Sequence, residues 1–283
     1  MKRLKTAFLA ILILMLCTGS ALAEDFSLED IWEDDELVAE DTYGDVAWDF
    51  PIRLSDMDPE MIRIANQDYL LPKDFVPEPL VTIPARKANK DGSNANNGML
   101  KAVSSTMQLQ ATCAEALIEL SEAARADGYN LYLKSAYRSW STQNTMYKNR
   151  LKKNNGKDDG WVSKAGASDH QTGLGCDVIP KSWINASGMN SKMAKEKECI
   201  WMAAHCQEYG FIIRYPEDKE DITKIHYEPW HLRYVGIPVA TYIMENGLCL
   251  EEFHEQLQAA IDRFLTAGGN PAVVEPYIQK SAE

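Results

Sequence analysis

The chain is 283 residues long, 45% hydrophobic and 25% charged, with a formal net charge of −13. That is enough sequence for one large domain or for one domain with extensions. So acidic a balance argues against nucleic acid as a partner, because phosphate binding wants clustered Lys and Arg.

The elements follow in chain order. Lys2, Arg3 and Lys5 precede an apolar run from Ala7 to Leu16, and Ala21-Leu22-Ala23 is a small-x-small cleavage site. The run is too short to span a bilayer comfortably. Residues 1–23 therefore read as a secretory signal peptide, with Glu24 the first mature residue. Cys17 does not complete a lipid-attachment site, because the bulky Leu16 stands where a small residue is needed. No later apolar run is long enough to cross a membrane, which predicts a secreted mature chain with no stable membrane insertion.

Residues 24–52 hold twelve Asp or Glu and no Lys or Arg. Ser27 and Asp30 resemble a helix N-cap pair for an amphipathic stretch at 28–39, but the composition predicts a solvated, partly disordered acidic segment over 24–61. Pro72, Pro77, Pro79 and Pro84 then favour extended, wrapping structure, and the Asn/Gly/Ser cluster at 90–98 reads as an exposed loop.

Apolar spacings of three and four through Leu109, Cys113, Leu117 and Leu120 predict a helix over 101–126, ended by Gly128. Residues 130–137 read as a strand and 141–152 as a helix. Residues 192–209 form another periodic helix, followed by a strand over 211–214. Strand pieces at 224–227 and 232–235 flank Glu228-Pro229, and helices at 237–248 and 250–265 end the chain. This succession predicts an α+β domain over 62–240 and a helical extension over 241–283.

The cysteines left after cleavage, Cys113, Cys176, Cys199, Cys206 and Cys249, include no CxxC pair. They read as small buried hydrophobes rather than a thiolate zinc site.

The chemistry gathers in two stretches. Ser168-Asp169-His170-Gln171-Thr172-Gly173-Leu174-Gly175-Cys176-Asp177 places an imidazole and a carboxylate seven residues apart, with glycines between them that let the chain turn. Glu228-Pro229-Trp230-His231 supplies a second carboxylate and a second imidazole. A hydrolytic zinc site needs three protein ligands and an open position, which His170, Asp177 and His231 provide. Glu228 is spaced to act as general base. Arg138, at a strand end, could neutralise a substrate carboxylate or a developing oxyanion. His205 and His254 fall within helical patterns, and His226 reads as lining the site without binding metal.

These residues carry a resemblance. Ser168-x-His170-x-x-Gly173-x-Gly175-x-Asp177 followed by Glu228-x-x-His231 resembles the signature of the VanY-type D-alanyl-D-alanine carboxypeptidases. That zinc peptidase group also holds the D-Ala-D-Ala dipeptidases and the hedgehog signalling domain. Tyr137-Arg138-Ser139 with Gln143, and Leu71-Pro72-x-x-Phe75-x-Pro77, are similar too. The resemblance covers about residues 64–239. It implies a small antiparallel sheet with helices packed on the side away from an open zinc cleft. It also implies Zn2+ on His170, Asp177 and His231, Glu228 as base, Arg138 near the scissile bond, and Ser168 and Gln143 on the peptide's terminal carboxylate. The implied partners are peptidoglycan stem peptides at the cell wall, trimmed of a C-terminal D-alanine in D,D or L,D linkage. A murein endopeptidase and a non-catalytic zinc-containing binding module are the alternatives. The chain departs from the family in having Gly175 where Ala is common, Cys176 where an aliphatic residue is common, and Asp169 where Glu is frequent.

Overall fold

The computed structural model describes residues 43–83, 100–101 and 106–280. The expected signal peptide, the amphipathic stretch at 28–39 and the loop at 90–98 lie outside the described residues.

The strands are β1 (Leu80–Thr82), β2 (Leu100–Lys101), β3 (Gln108–Gln110), β4 (Tyr132–Ser135), β5 (Gly175–Ile179), β6 (Phe211–Ile213) and β7 (His231–Tyr234). The helices are α1 (Ala111–Ala126), α2 (Trp140–Lys153), α3 (Lys197–His205), α4 (Glu220–Thr223), α5 (Ile237–Glu245), α6 (Leu250–Thr266) and α7 (Pro271–Val274). β1 and β3 pair alone, and the main sheet runs β2-β4-β5-β7-β6. All its pairings are antiparallel except β2 with β4. The architecture is α+β, as the element pattern predicts.

One core cluster joins Cys113, Leu117 and Leu120 of α1 and Met202 of α3 to Cys176, Val178 and Leu232 of the sheet. Successive strand residues point to opposite faces, so Asp177 and His231 project away from these helices. A second cluster joins Trp48, Ile52 and Leu54 to Ile212, Val239, Phe253 and Ile261. Trp48, Ile52, Leu54 and Met57, which fall in the stretch expected to be solvated, are instead buried and share one core beside β6 with the helices after 240, because their apolar side chains outweigh the acids between them.

Three elements differ from the sequence expectation. The helix expected from 101 starts at Ala111, because residues 108–110 pair with β1 instead, Thr82 opposite Gln108. Gln110 then caps the helix, its side chain accepting from the Thr112 amide at 3.2 Å. The helix expected over 192–209 is a 3-10 turn, then α3, then a second 3-10 turn. It breaks at Glu196, which is extended at ψ 142° and accepts from Trp183 Nε1 at 3.0 Å. Residues 224–227 form no strand. Lys224 has φ +61°, and the Glu220 carboxylate takes the Tyr227 amide at 2.7 Å.

Candidate metal centre

β5 and β7 create the site by register. Asp177 lies directly opposite His231, and Ser135 of β4 faces Asp177 from the other side. Opposed residues of an antiparallel pair share a face, so two of the expected ligands meet without any loop. The third, His170, sits in a 3-10 turn, Asp169–Thr172, just before β5. Gly173 ends that turn at φ +70°, and a side chain there would lie 2.9 Å from Pro77. Glycine is required by both backbone and space.

His170 Nε2 is 3.5 Å from Asp177 Oδ1, and His231 Nδ1 is 3.2 Å from the same oxygen. One ligand atom from each residue falls within 4.8 Å of the others. Zinc bonds of about 2.0–2.1 Å in a tetrahedron put ligand atoms roughly 3.4 Å apart, so these two separations suit that ion. Asp177 Oδ1 is buried and accepts no hydrogen bond. A buried anionic oxygen facing two imidazole nitrogens is balanced by a positive charge, either a proton on His231 or a cation held in its place, and two nitrogens with one carboxylate are a donor set for zinc. His170 Nδ1 lies 2.8 Å from the Ala136 carbonyl. That contact holds the proton on Nδ1 and leaves the Nε2 lone pair free for the metal.

The electrostatics separate the two imidazoles. Burial, reinforced by the Arg138 charge, lowers His170, so it is neutral at pH 7. Burial alone would lower His231 as well, but the adjoining carboxylates of Asp177 and Glu228 outweigh it and push it up to about 9. Burial would raise Asp177, yet the neighbouring imidazoles hold it well below the usual carboxylate range. Glu228, with Oε2 3.4 Å from His231 Nδ1, is raised by burial.

A pH prediction follows. In the metal-free protein His231 carries a proton up to about 9, and His170 does not at neutral pH. Zinc uptake at pH 7–8 releases close to one proton from this pair, and two only below the ordinary histidine range of ~6.5. Calorimetry in buffers of different ionisation enthalpy reads that number. The stability sign is opposite. A histidine raised on folding stabilises fully below ~6.5 and loses that contribution as pH rises through about 9. The melting temperature of the metal-free protein falls over that window.

Seven of the residues expected at the site line one cleft, Arg138, Gln143, Ser168, His170, Asp177, Glu228 and His231, whereas His226, expected to line it too, does not. Arg138 is anchored rather than free. Its Nη1 donates to Gln143 Oε1 at 2.6 Å and its Nη2 to Ser135 Oγ at 3.1 Å. Gln143 spends its amide nitrogen on the Ser163 carbonyl at 2.6 Å. The structure thus shows Gln143 as a brace that aims Arg138. Trp161, Met189, Tyr215 and Ile225 add walls to the cleft that the sequence patterns left unassigned. His226 packs on Trp161 with ring centroids 4.7 Å apart and contacts Glu220, away from the ligand cluster. Cys176 is fully buried in the core on the other face of β5. Cys113, Cys176, Cys199, Cys206 and Cys249 are all free thiols.

Gly175 is explained by Asp169. A Cβ at residue 175 would lie 2.8 Å from Asp169 Cβ and 2.9 Å from its carbonyl carbon. Gly175→Ala destabilises by roughly 1–3 kcal/mol through overpacking. Thermal melts will show it as a fall of about 2–4 °C per kcal/mol.

An α+β sheet presenting two imidazoles and a carboxylate beside a second carboxylate and an arginine defines a metallohydrolase. Comparison with known proteins makes the class specific. Residues 106–237 match the VanY family, D-alanyl-D-alanine carboxypeptidase. YodJ of Bacillus subtilis (strain 168), named as a carboxypeptidase, is 36% identical over 199 residues, 70% of this chain and 68% of that protein. A D-alanyl-D-alanine carboxypeptidase of Enterococcus faecalis is 38% identical over 147 residues, 48% of this chain and 52% of that one. Among solved structures, the LdcB LD-carboxypeptidase aligns at TM-score 0.58 and 35% identity, covering 70% of this chain and 87% of its own. A VanY D,D-pentapeptidase solved with Zn(II) aligns at TM-score 0.50 and 27% identity, covering 69% and 98%. The chain belongs to the VanY family of zinc metallo-carboxypeptidases.

Proposed function

We propose that this protein is a secreted carboxypeptidase that removes the C-terminal D-alanine from peptidoglycan stem peptides. The observation that carries the proposal is the buried His170–Asp177–His231 cluster with Glu228 Oε2 3.4 Å from His231. In this reading the cluster holds zinc, and His170 is fixed in its ligating tautomer by the Ala136 carbonyl. Zinc, when bound, supplies Lewis acidity that brings water ionisation towards pH ~7.

The chain's own groups do the rest. Glu228 takes a proton from the attacking water and returns one to the departing D-alanine amine. Its burial-raised carboxyl suits both steps. Arg138, held rigid by Gln143 and Ser135, meets the substrate's carboxylate or the developing oxyanion. Ser168, on the same cleft wall, contacts the peptide terminus, and Gln143 contributes through Arg138.

Support for cutting an L,D bond comes from the higher structural likeness to the LD-carboxypeptidase, TM-score 0.58 against 0.50. Support for a D,D bond comes from the family description and the enterococcal relative. Secretion is supported by the sequence of residues 1–23, and no described helix is long and apolar enough to cross a membrane. Mass spectrometry of treated sacculi tests the reading against endopeptidase action. Loss of terminal D-alanine with cross-links intact is the expected result, and cleaved cross-links would contradict it.

A further inference from the structure

Behind the ligand cluster lies a closed ionic network that the proposed chemistry does not use. Both oxygens of Asp169 are taken. Oδ2 accepts from Arg214 Nε at 2.6 Å, and Oδ1 accepts from Arg233 Nη1. Arg214 gives its other nitrogens to Glu251, at 2.8 and 2.6 Å. Arg233 also donates to the Arg63 carbonyl at 2.6 Å and the Met61 carbonyl at 2.9 Å. The side chains of Asp169, Arg214 and Arg233 are 0% exposed, and that of Glu251 is 9% exposed. Two cations and two anions balance in a space without water screening.

The network grips both ligand-bearing segments. Asp169 immediately precedes His170. Arg233 follows His231 by two residues, on the same face of β7. The Arg214 backbone N–H donates to the His231 carbonyl at 3.1 Å. Glu251 comes from elsewhere: the first turn of α6, outside the residues 106–237 that match the family.

We propose that Glu251 is a positioning residue for the metal centre, acting through Arg214 and Asp169 on the turn that carries His170. The proposal rests on His170, Asp177 and His231 being the zinc ligands. Without Glu251, two buried nitrogens of Arg214 lose their acceptors. The nearest remaining acceptor is Asp169, and a guanidinium seeking a bidentate grip there pulls that carboxylate off Arg233. The Asp169–Thr172 turn then rotates, and His170 with it. Helix α6 is in this way part of the active centre.

Zinc affinity of the full-length protein, measured by chelator competition, tests this apart from turnover. Glu251→Gln is expected to bind zinc up to about tenfold more weakly, below the 10–100-fold cost of losing a group bonded directly to a ligand, because Glu251 acts at one remove. Near-UV circular dichroism of the variant should stay native. The paired change Arg214→Met with Glu251→Leu keeps the buried charges balanced and guards against simple unfolding. It is expected to fold and still to bind zinc at least tenfold more weakly. Asp49→Asn, which breaks the exposed contact to Arg263 on the same helix, should leave affinity unchanged. A folded pair with parental zinc affinity overturns the proposal. So does a pair that fails to fold, since the network would then serve folding alone. His170→Ala in the same titration separates the two levels. If it keeps parental affinity, the ligand reading has failed rather than the role of Glu251.

Discussion

Glu228→Gln lowers kcat/KM for D-alanine release by about 10²–10⁴-fold, the range a positioned general base contributes. Gln keeps the size of the side chain and can still accept a hydrogen bond at its carbonyl oxygen, but it cannot take a proton from water. The loss is expected to fall on kcat, because Arg138 and Ser168, the cleft residues proposed to meet the peptide, are untouched. Zinc affinity does not fall with it. Glu228 is one of the two carboxylates that hold the proton on His231, so its neutralisation eases the competition between that proton and the metal. A variant that is inactive because it has lost zinc would contradict the assignment. The informative measurement is metal content alongside steady-state kinetics on the same preparation.

Metal removal has the larger effect. Chelated protein should retain only background hydrolysis and recover fully on adding zinc, and Asp177→Asn should not recover. Asp177 supplies the cluster's one anionic ligand, and its Oδ1 has no hydrogen bond to fall back on. Asn offers a neutral oxygen and leaves His231 with a weaker partner, so metal and imidazole orientation are lost together. Activity should also drop below pH ~6, where His170 joins His231 in competing for protons. A flat profile from pH 5 to 8 would contradict metal binding by these imidazoles.

The ligand stretch was legible in the sequence because its information is local. His170 and Asp177 are joined by a turn and a strand start, and the glycines between them report the turn directly. His231 and Glu228 could be read because they are three residues apart. The cross-strand register that brings Asp177 opposite His231 adds precision to that reading.

The ionic network was not legible, because its partners are 37 to 64 residues apart. Glu251 looks like an ordinary acid in a helix's first turn, where the dipole favours it. Arg214 gave the one available signal, a charge continuing the apolar run Phe211-Ile212-Ile213. The start of α1 was missed for a similar reason. Leu109 fits a helical stripe as well as a strand, and only the partner strand at 80–82 decides between them. Resemblance places Gln143 on the substrate, and its hydrogen bonds to Arg138 and to the Ser163 carbonyl are contacts that the sequence does not display.

This cleft is expected to release D-alanine by metal-dependent hydrolysis. Purified protein should be given a pentapeptide stem ending in D-Ala-D-Ala and a tetrapeptide stem ending in an L,D bond, each with zinc and with chelator. Free D-alanine from at least one stem, abolished by chelator and by Glu228→Gln, is the expected result. Zinc-loaded protein that releases no D-alanine from either stem would contradict it.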